Sequence, residues 1–223
     1  MAISVCGAAI DWAATGTMLQ GWGTLIGAVA VFAAAWIGAN TFNSWKRQKI
    51  TERHIEQAER ILTAVYKARR ALSRVRSPLM SAHELSVAED QLSGHENWKY
   101  NTADKQRRLC VAKGYYNRIA STEAERTLLD GCLPMSRALF GEEVEKAIET
   151  VVQQFWAVKA YADAYIDDNG NDVAFSRQIS MALYELSSTP DKGDEITDAI
   201  HAAIKTVEGV CLPVLRLEEP SAK

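Results

Sequence analysis

WGTLIGAVAVFAAAWIGANTF, residues 22–42, holds no charged side chain, and the uncharged run around it extends from Trp12 to Trp45 in a chain that is 24% charged overall. A helix crossing the hydrocarbon core of a bilayer needs about 20 mostly apolar residues at 1.5 Å each. This stretch supplies them, so a transmembrane helix is expected over residues 18–42, behind a short N-terminus of residues 1–17. Asn40 is its only strongly polar member, while Thr24 and Thr41 can bond back to their own helix. As one helix, Trp22 and Trp45 stand roughly 34 Å apart, close to the spacing of the two aromatic belts, and both read as membrane-interface anchors.

Lys46, Arg47 and Lys49 follow at once and are placed to contact anionic lipid headgroups, each worth on the order of 1 kcal/mol near the surface. By the positive-inside rule the C-terminal side lies in the cytoplasm and the N-terminus, with its single Asp11, outside. Two other readings compete. A cleaved signal carries its positive charge before the apolar run rather than after it, and its core is shorter. A buried helix of a soluble domain is the other, favoured by the many Ala and Gly. Within the span, Gly23 and Gly27, and the row Ala30, Ala34 and Gly38, are small residues four apart, the spacing that lets two helices approach closely, although any Ala-rich helix produces it by chance.

The formal net charge of −3 averages over unlike blocks. Residues 43–76 carry ten Lys or Arg against three Glu, and from Ser77 onward fifteen basic residues face twenty-four acidic ones. The basic block, NSWKRQKITERHIEQAERILTAVYKARRALSRVRSP, meets no Gly or Pro before Pro78, so a juxtamembrane helix is expected over 43–78. Ala58, Ile61, Val65, Ala68, Leu72 and Val75 step by three and four and define its buried stripe. Arg69 on such a helix lies roughly 35 Å beyond Lys46, well past a Debye length of about 8 Å. Lys67, Arg69, Arg70, Arg74 and Arg76 are therefore expected to pair with the acidic body, of this chain or of a neighbour, rather than with lipid.

Residues 79–223 read as an acidic helical domain. Low periodicity and the Ser93-Gly94 pair make 77–100 a loop. Asn101 or Thr102 caps a helix with Leu109, Ala112, Tyr116 and Ile119 inward, and Thr122 with Glu125 makes a capping-box pattern ahead of Leu128 and Leu129, interrupted by Gly131 and Pro134. The clearest helix starts after Gly141, with Val144, Ile148, Val151, Phe155, Val158, Ala162 and Tyr165 on one face, and DDNGND ends it. A shorter helix with Phe175, Ile179, Ala182 and Leu186 inward, and a last one carrying Ile196, Ile200, Ala203, Val207, Val210 and Val214, complete the set, with Pro213 bending the final turn. No segment alternates apolar and polar residues, so the fold class is all-α: a transmembrane helix continuing into a long basic helix, then an antiparallel helical bundle.

Chemistry is hard to find. Cys6, Cys110, Cys132 and Cys211 form no Cys-x-x-Cys pair, and His54, His83, His95 and His201 are scattered. DDNGND, residues 167–172, lacks the Gly and Glu of a calcium loop at its sixth and twelfth positions. Glu142, Glu143, Glu145 and Glu149 have no visible partner acid and suit the positive end of a helix dipole. No catalytic residue, metal site or cofactor is expected, and nucleic acid is not an expected partner, because the basic block has no interleaved aromatics and the acidic body repels phosphates.

The order of a short N-terminus, an Ala/Gly-rich span, WKRQK and ERHIEQAERILTAVYKARRALSRVRSP resembles uncharacterised bacterial single-pass membrane proteins with a helical cytoplasmic tail. The resemblance covers mainly residues 20–80, implies location in the bacterial cytoplasmic membrane, and carries no activity. Amphipathic helices without a site then point to a membrane-tethered interaction or scaffold protein, not an enzyme, whose bundle binds a protein partner or a second copy. The alternative is a membrane-disrupting or signalling effector, as in phage defence or stress, whose transmembrane helices assemble.

Overall fold

Eight α-helices and one 3-10 turn, with no strand, form along residues 12–185 and 194–217, the residues that the computed structural model describes. The chain is all-α, a long N-terminal helix followed by a helical bundle. Helix α1 (Trp12–Val75) is followed by α2 (Ala82–Ser93), a 3-10 turn (Trp98–Tyr100), α3 (Ala103–Ala120), α4 (Glu123–Asp130), α5 (Leu133–Phe140), α6 (Glu142–Asp167), α7 (Val173–Leu183) and α8 (Glu195–Leu215). Contacts divide the chain into two compact units, Met1–Glu52 and Arg53–Lys223, which meet inside α1. The basic stretch Arg53–Val75 thus belongs to the body.

Within the body, the stripe predicted for α1 is buried throughout: Ala58, Ile61, Val65, Ala68, Leu72 and Val75 all lie in one apolar cluster with residues of α3, α4, α6, α7 and α8. Helix α6 is the centre of the bundle, packing against α3, α5, α7 and α8. Its Val144, Ile148, Val151, Phe155, Val158 and Ala162 are buried, following the three-four step along roughly 27 Å of helix. Gly141 permits the abrupt start. Its φ of 91° lies where side chains are rarely tolerated, and Glu142 begins the helix immediately after it. At the other end Gly170, with φ of 73°, turns the chain, while Asp168 accepts from Gly170 N and Asp172 caps α7 by accepting from the Ala174 and Phe175 amides.

Four local expectations need correction. Residues 77–100 are not one loop, because between the irregular segments 77–81 and 94–97 Ser81 and Glu84 form a complete capping box (Glu84 N to Ser81 Oγ 3.2 Å, Ser81 N to Glu84 Oε2 2.8 Å) and start α2. The Thr122 and Glu125 pattern, by contrast, makes no capping box. Thr122 Oγ1 donates to Ile119 O at 2.7 Å, and the Glu125 carboxylate accepts from Arg74 at 2.7 Å. On α3 the buried face is turned by one position, since Tyr115 and Cys110 are buried with Ala112 and Ile119 while Leu109 and Tyr116 are only half-buried. Phe175 is 43% exposed rather than inward, although Ile179 and Ala182 are buried as expected. Leu186 lies outside the described residues.

Candidate functional site

Among its described residues the N-terminal unit has no interior. Every described side chain from Trp22 to Glu52 is exposed, including Trp22, Phe32 at 77% and Trp36 at 72%. At 100° per residue, Ile26 and Ile37 point roughly 140° away from Val31 and Phe42, so the apolar surface wraps the helix rather than forming one face. One helix near the N-terminus is long and apolar enough to cross a membrane. It starts at Trp12, ahead of Met18. Thr41 Oγ1 returns a hydrogen bond to Ile37 O at 2.8 Å, which leaves no lone hydroxyl in the apolar stretch at that level.

The anchors and cations lie beyond it on the same helix. Trp45 stacks loosely on Phe42, ring centroids 6.0 Å apart. Lys46 and Arg47 are exposed, and Lys49 pairs with Glu52 at 2.7 Å, an exposed i,i+3 contact that water or a headgroup can replace. Ala30, Ala34, Gly27 and Gly38 are exposed, and a Cβ added at either glycine meets nothing within 4 Å. The surroundings of Gly23 lie outside the described residues, as do Cys6 and Asp11.

In the body, cations of the basic helix meet the acidic remainder of the same chain. Arg74 pairs with Glu125 at 2.7 Å, and Arg69 Nη2 lies 3.4 Å from His201 Nε2. Arg76 is 1% exposed: its Nε donates to Ala182 O at 2.8 Å, one Nη to Thr197 Oγ1 at 2.9 Å, and the other to Met181 O at 3.0 Å and to the Asp194 carboxylate. One guanidinium thus joins the C-terminus of α7 to the N-terminus of α8, using the planar donor fork that only arginine has. Nearer the middle of α8, Tyr66 donates to Glu208 at 2.6 Å, and that bond to a carboxylate, with burial, raises the phenol's pKa.

A second arginine holds the connection after α1. Arg118 on α3 donates to Val75 O, to Ser77 O at 2.7 Å and to Leu79 O at 2.6 Å, and binds both oxygens of Glu84. The guanidinium beside Glu84 brings that carboxyl down to about 2. Elsewhere between α2 and α3 lies an open cavity of about 380 Å³, with Met80, Leu85 and Val111 in its walls, Trp98, Tyr115 and Tyr184 as aromatic surface, and Glu89 and Arg107 among its polar groups. Gly114 lies behind one wall, since a Cβ there would stand 2.6 Å from Met80 Sδ.

No family model, no curated protein and no solved structure matches this chain.

Cys110, Cys132 and Cys211 are free and buried, and burial pushes all three thiols up, Cys211 to about 11, which keeps them protonated and poor nucleophiles. Among the described residues no group of three His, Cys, Asp or Glu side chains is placed to hold a metal ion. Asp167 pairs with Lys105 at 2.6 Å and Asp168 also accepts from Ser176, so carboxylates of DDNGND have partners in the fold. The α2–α3 cavity was not visible in the sequence. Its one advance signal was the Ser81-x-x-Glu84 spacing, which marks the helix that forms its wall.

Proposed function

We propose that this chain is a single-pass protein of the bacterial cytoplasmic membrane, N-terminus outside, whose body is an interaction module in the cytoplasm rather than an enzyme. The observation that carries this reading is the apolar surface surrounding the helix between Trp22 and Trp45, exposed at every described side chain. A soluble protein rarely leaves a contiguous apolar patch beyond a few hundred Å² in water, whereas lipid tails cover it on every side. Lys46, Arg47 and Lys49 then lie at the cytoplasmic headgroups, and the body engages a protein partner. Protonated, buried thiols and carboxylates tied into the fold favour binding over catalysis.

Cysteine labelling in spheroplasts tests the topology. Because Cys110, Cys132 and Cys211 are buried, an impermeant maleimide reports only on Cys6 and on a cysteine placed at the exposed Glu96. Cys6 should label in intact spheroplasts and Glu96→Cys only after lysis. The reverse pattern overturns the orientation, and release of the whole chain by alkaline carbonate overturns the membrane reading. Cross-linking at membranes should recover a defined protein partner. Growth arrest on overexpression, abolished by Gly27→Leu, would instead favour an assembling effector.

A further inference from the structure

We propose that the cavity between α2 and α3 binds a small zwitterion with an apolar body, of the class of the larger apolar α-amino acids. Its volume of about 380 Å³ lies within the range of small-ligand pockets, and its lining sets polar and charged groups among apolar and aromatic walls. Leu85, Val111 and Met80 offer aliphatic and thioether surface, and Trp98, Tyr115 and Tyr184 offer aromatic surface, enough for a branched or aromatic side chain.

Charge narrows the choice. Glu89 comes from α2 and Arg107 from α3, both line the cavity, and both are exposed to solvent at its mouth. Among the described residues neither enters an ion pair, although other cations of these helices do: Arg118 holds Glu84, and Lys105 holds Asp167. A ligand with only a carboxylate gains from Arg107 and is repelled by Glu89. One with only an ammonium meets the opposite balance. A purely apolar ligand gains from neither, whereas a zwitterion satisfies both at no net charge. Cys110 beside Glu89 has its thiol pushed up by burial and then by that carboxylate, so it serves as uncharged wall.

This inference does not rest on the membrane reading, because it concerns the body alone. The test is calorimetric titration of the full chain in detergent micelles with L-phenylalanine, 2-phenylethylamine, which lacks the carboxylate, and 3-phenylpropionate, which lacks the ammonium. L-Phenylalanine should bind one to one, and each analogue at least about tenfold more weakly, the loss expected for a hydrogen bond to a charged group. Glu89→Gln should abolish the discrimination against 3-phenylpropionate, and Arg107→Gln that against 2-phenylethylamine; both positions are exposed, so the fold tolerates them. Gly114→Ala, which must displace Met80, should weaken L-phenylalanine in a chain whose helicity is unchanged. Equal binding of all three compounds, indifference to both charge variants, or no heat from L-phenylalanine, L-leucine or L-tryptophan overturns the proposal.

Discussion

Replacing Arg76 by Met tests whether one buried guanidinium fastens α7 and α8 to the end of α1. Methionine fills much of the same volume without charge, so the change removes donors rather than bulk. It strips Ala182 O, Met181 O, Thr197 Oγ1 and the Asp194 carboxylate of their arginine partner, at a site where Arg76 is 1% exposed and Asp194 17%. Breaking a buried pair from one side costs about 3–5 kcal/mol. Asp194 keeps its bonds from Ile196 N at 3.2 Å and Thr197 Oγ1 at 2.9 Å, and its partial exposure admits water, so the low end, about 3 kcal/mol, applies. A body of this size loses roughly 2–4 °C of Tm per kcal/mol, which makes the expected fall roughly 6–12 °C in thermal melts of the full chain in micelles followed by far-UV circular dichroism. Adding Asp194→Asn removes the stranded charge yet keeps a good N-cap for α8, and should restore more than half of the loss. A fall under about 2 °C for Arg76→Met, or no recovery in the double variant, would refute the reasoning.

Other expectations are more local. Glu84 has a lower pKa folded than unfolded, so its contribution is complete above 4.5 and disappears as pH falls toward about 2; Glu84→Gln should flatten that part of the stability profile in urea titrations across this window. Ser81→Ala should cost about 1 kcal/mol through the lost cap of α2, visible as a lower urea midpoint at unchanged slope. Trp36→Arg places a charge in the middle of the apolar run, worth about 2.5–3.5 kcal/mol against insertion, and should raise the carbonate-extractable fraction.

What the sequence made legible is the part of the fold set by periodicity. The stripes of α1 and α6 are long, unbroken and opposite polar faces, so a three-four step places them without knowledge of any neighbour. α2 escaped because its only fully buried side chain is Ala88; with so small an apolar face its signal lies in the cap, not the stripe. The same capping signature misled at Thr122, where the competing partners are a carbonyl three residues back and an arginine from α1. A spacing records that two groups can meet, and the tertiary neighbours decide whether they do. On α3 the three-four step puts Tyr116 inward, whereas Tyr115 takes the core place, its hydroxyl directed at Leu183 O 3.4 Å away, while Tyr116 donates to Asp163. A cavity made by two helices, the connection before them, a 3-10 turn and the residue after α7 is a property of their packing, and leaves no pattern in any one of them.

The basic block after the apolar run contains two populations of cations with different physics, and salt separates them. Lys46, Arg47 and Lys49 are exposed, so any attraction to anionic headgroups acts through water and shrinks as the Debye length falls to about 3 Å in 1 M salt. Arg74 with Glu125 is also exposed on the arginine side, 68%, and contributes little to stability at any salt. Arg76 is screened by protein on every side, and its bonds to two carbonyls and a hydroxyl need no opposite charge at all. High salt should therefore leave the thermal transition of the body almost unmoved while weakening adsorption of the basic segment to anionic vesicles. Depth, rather than residue type, decides which of these arginines and lysines belongs to the fold and which is left for a surface outside it.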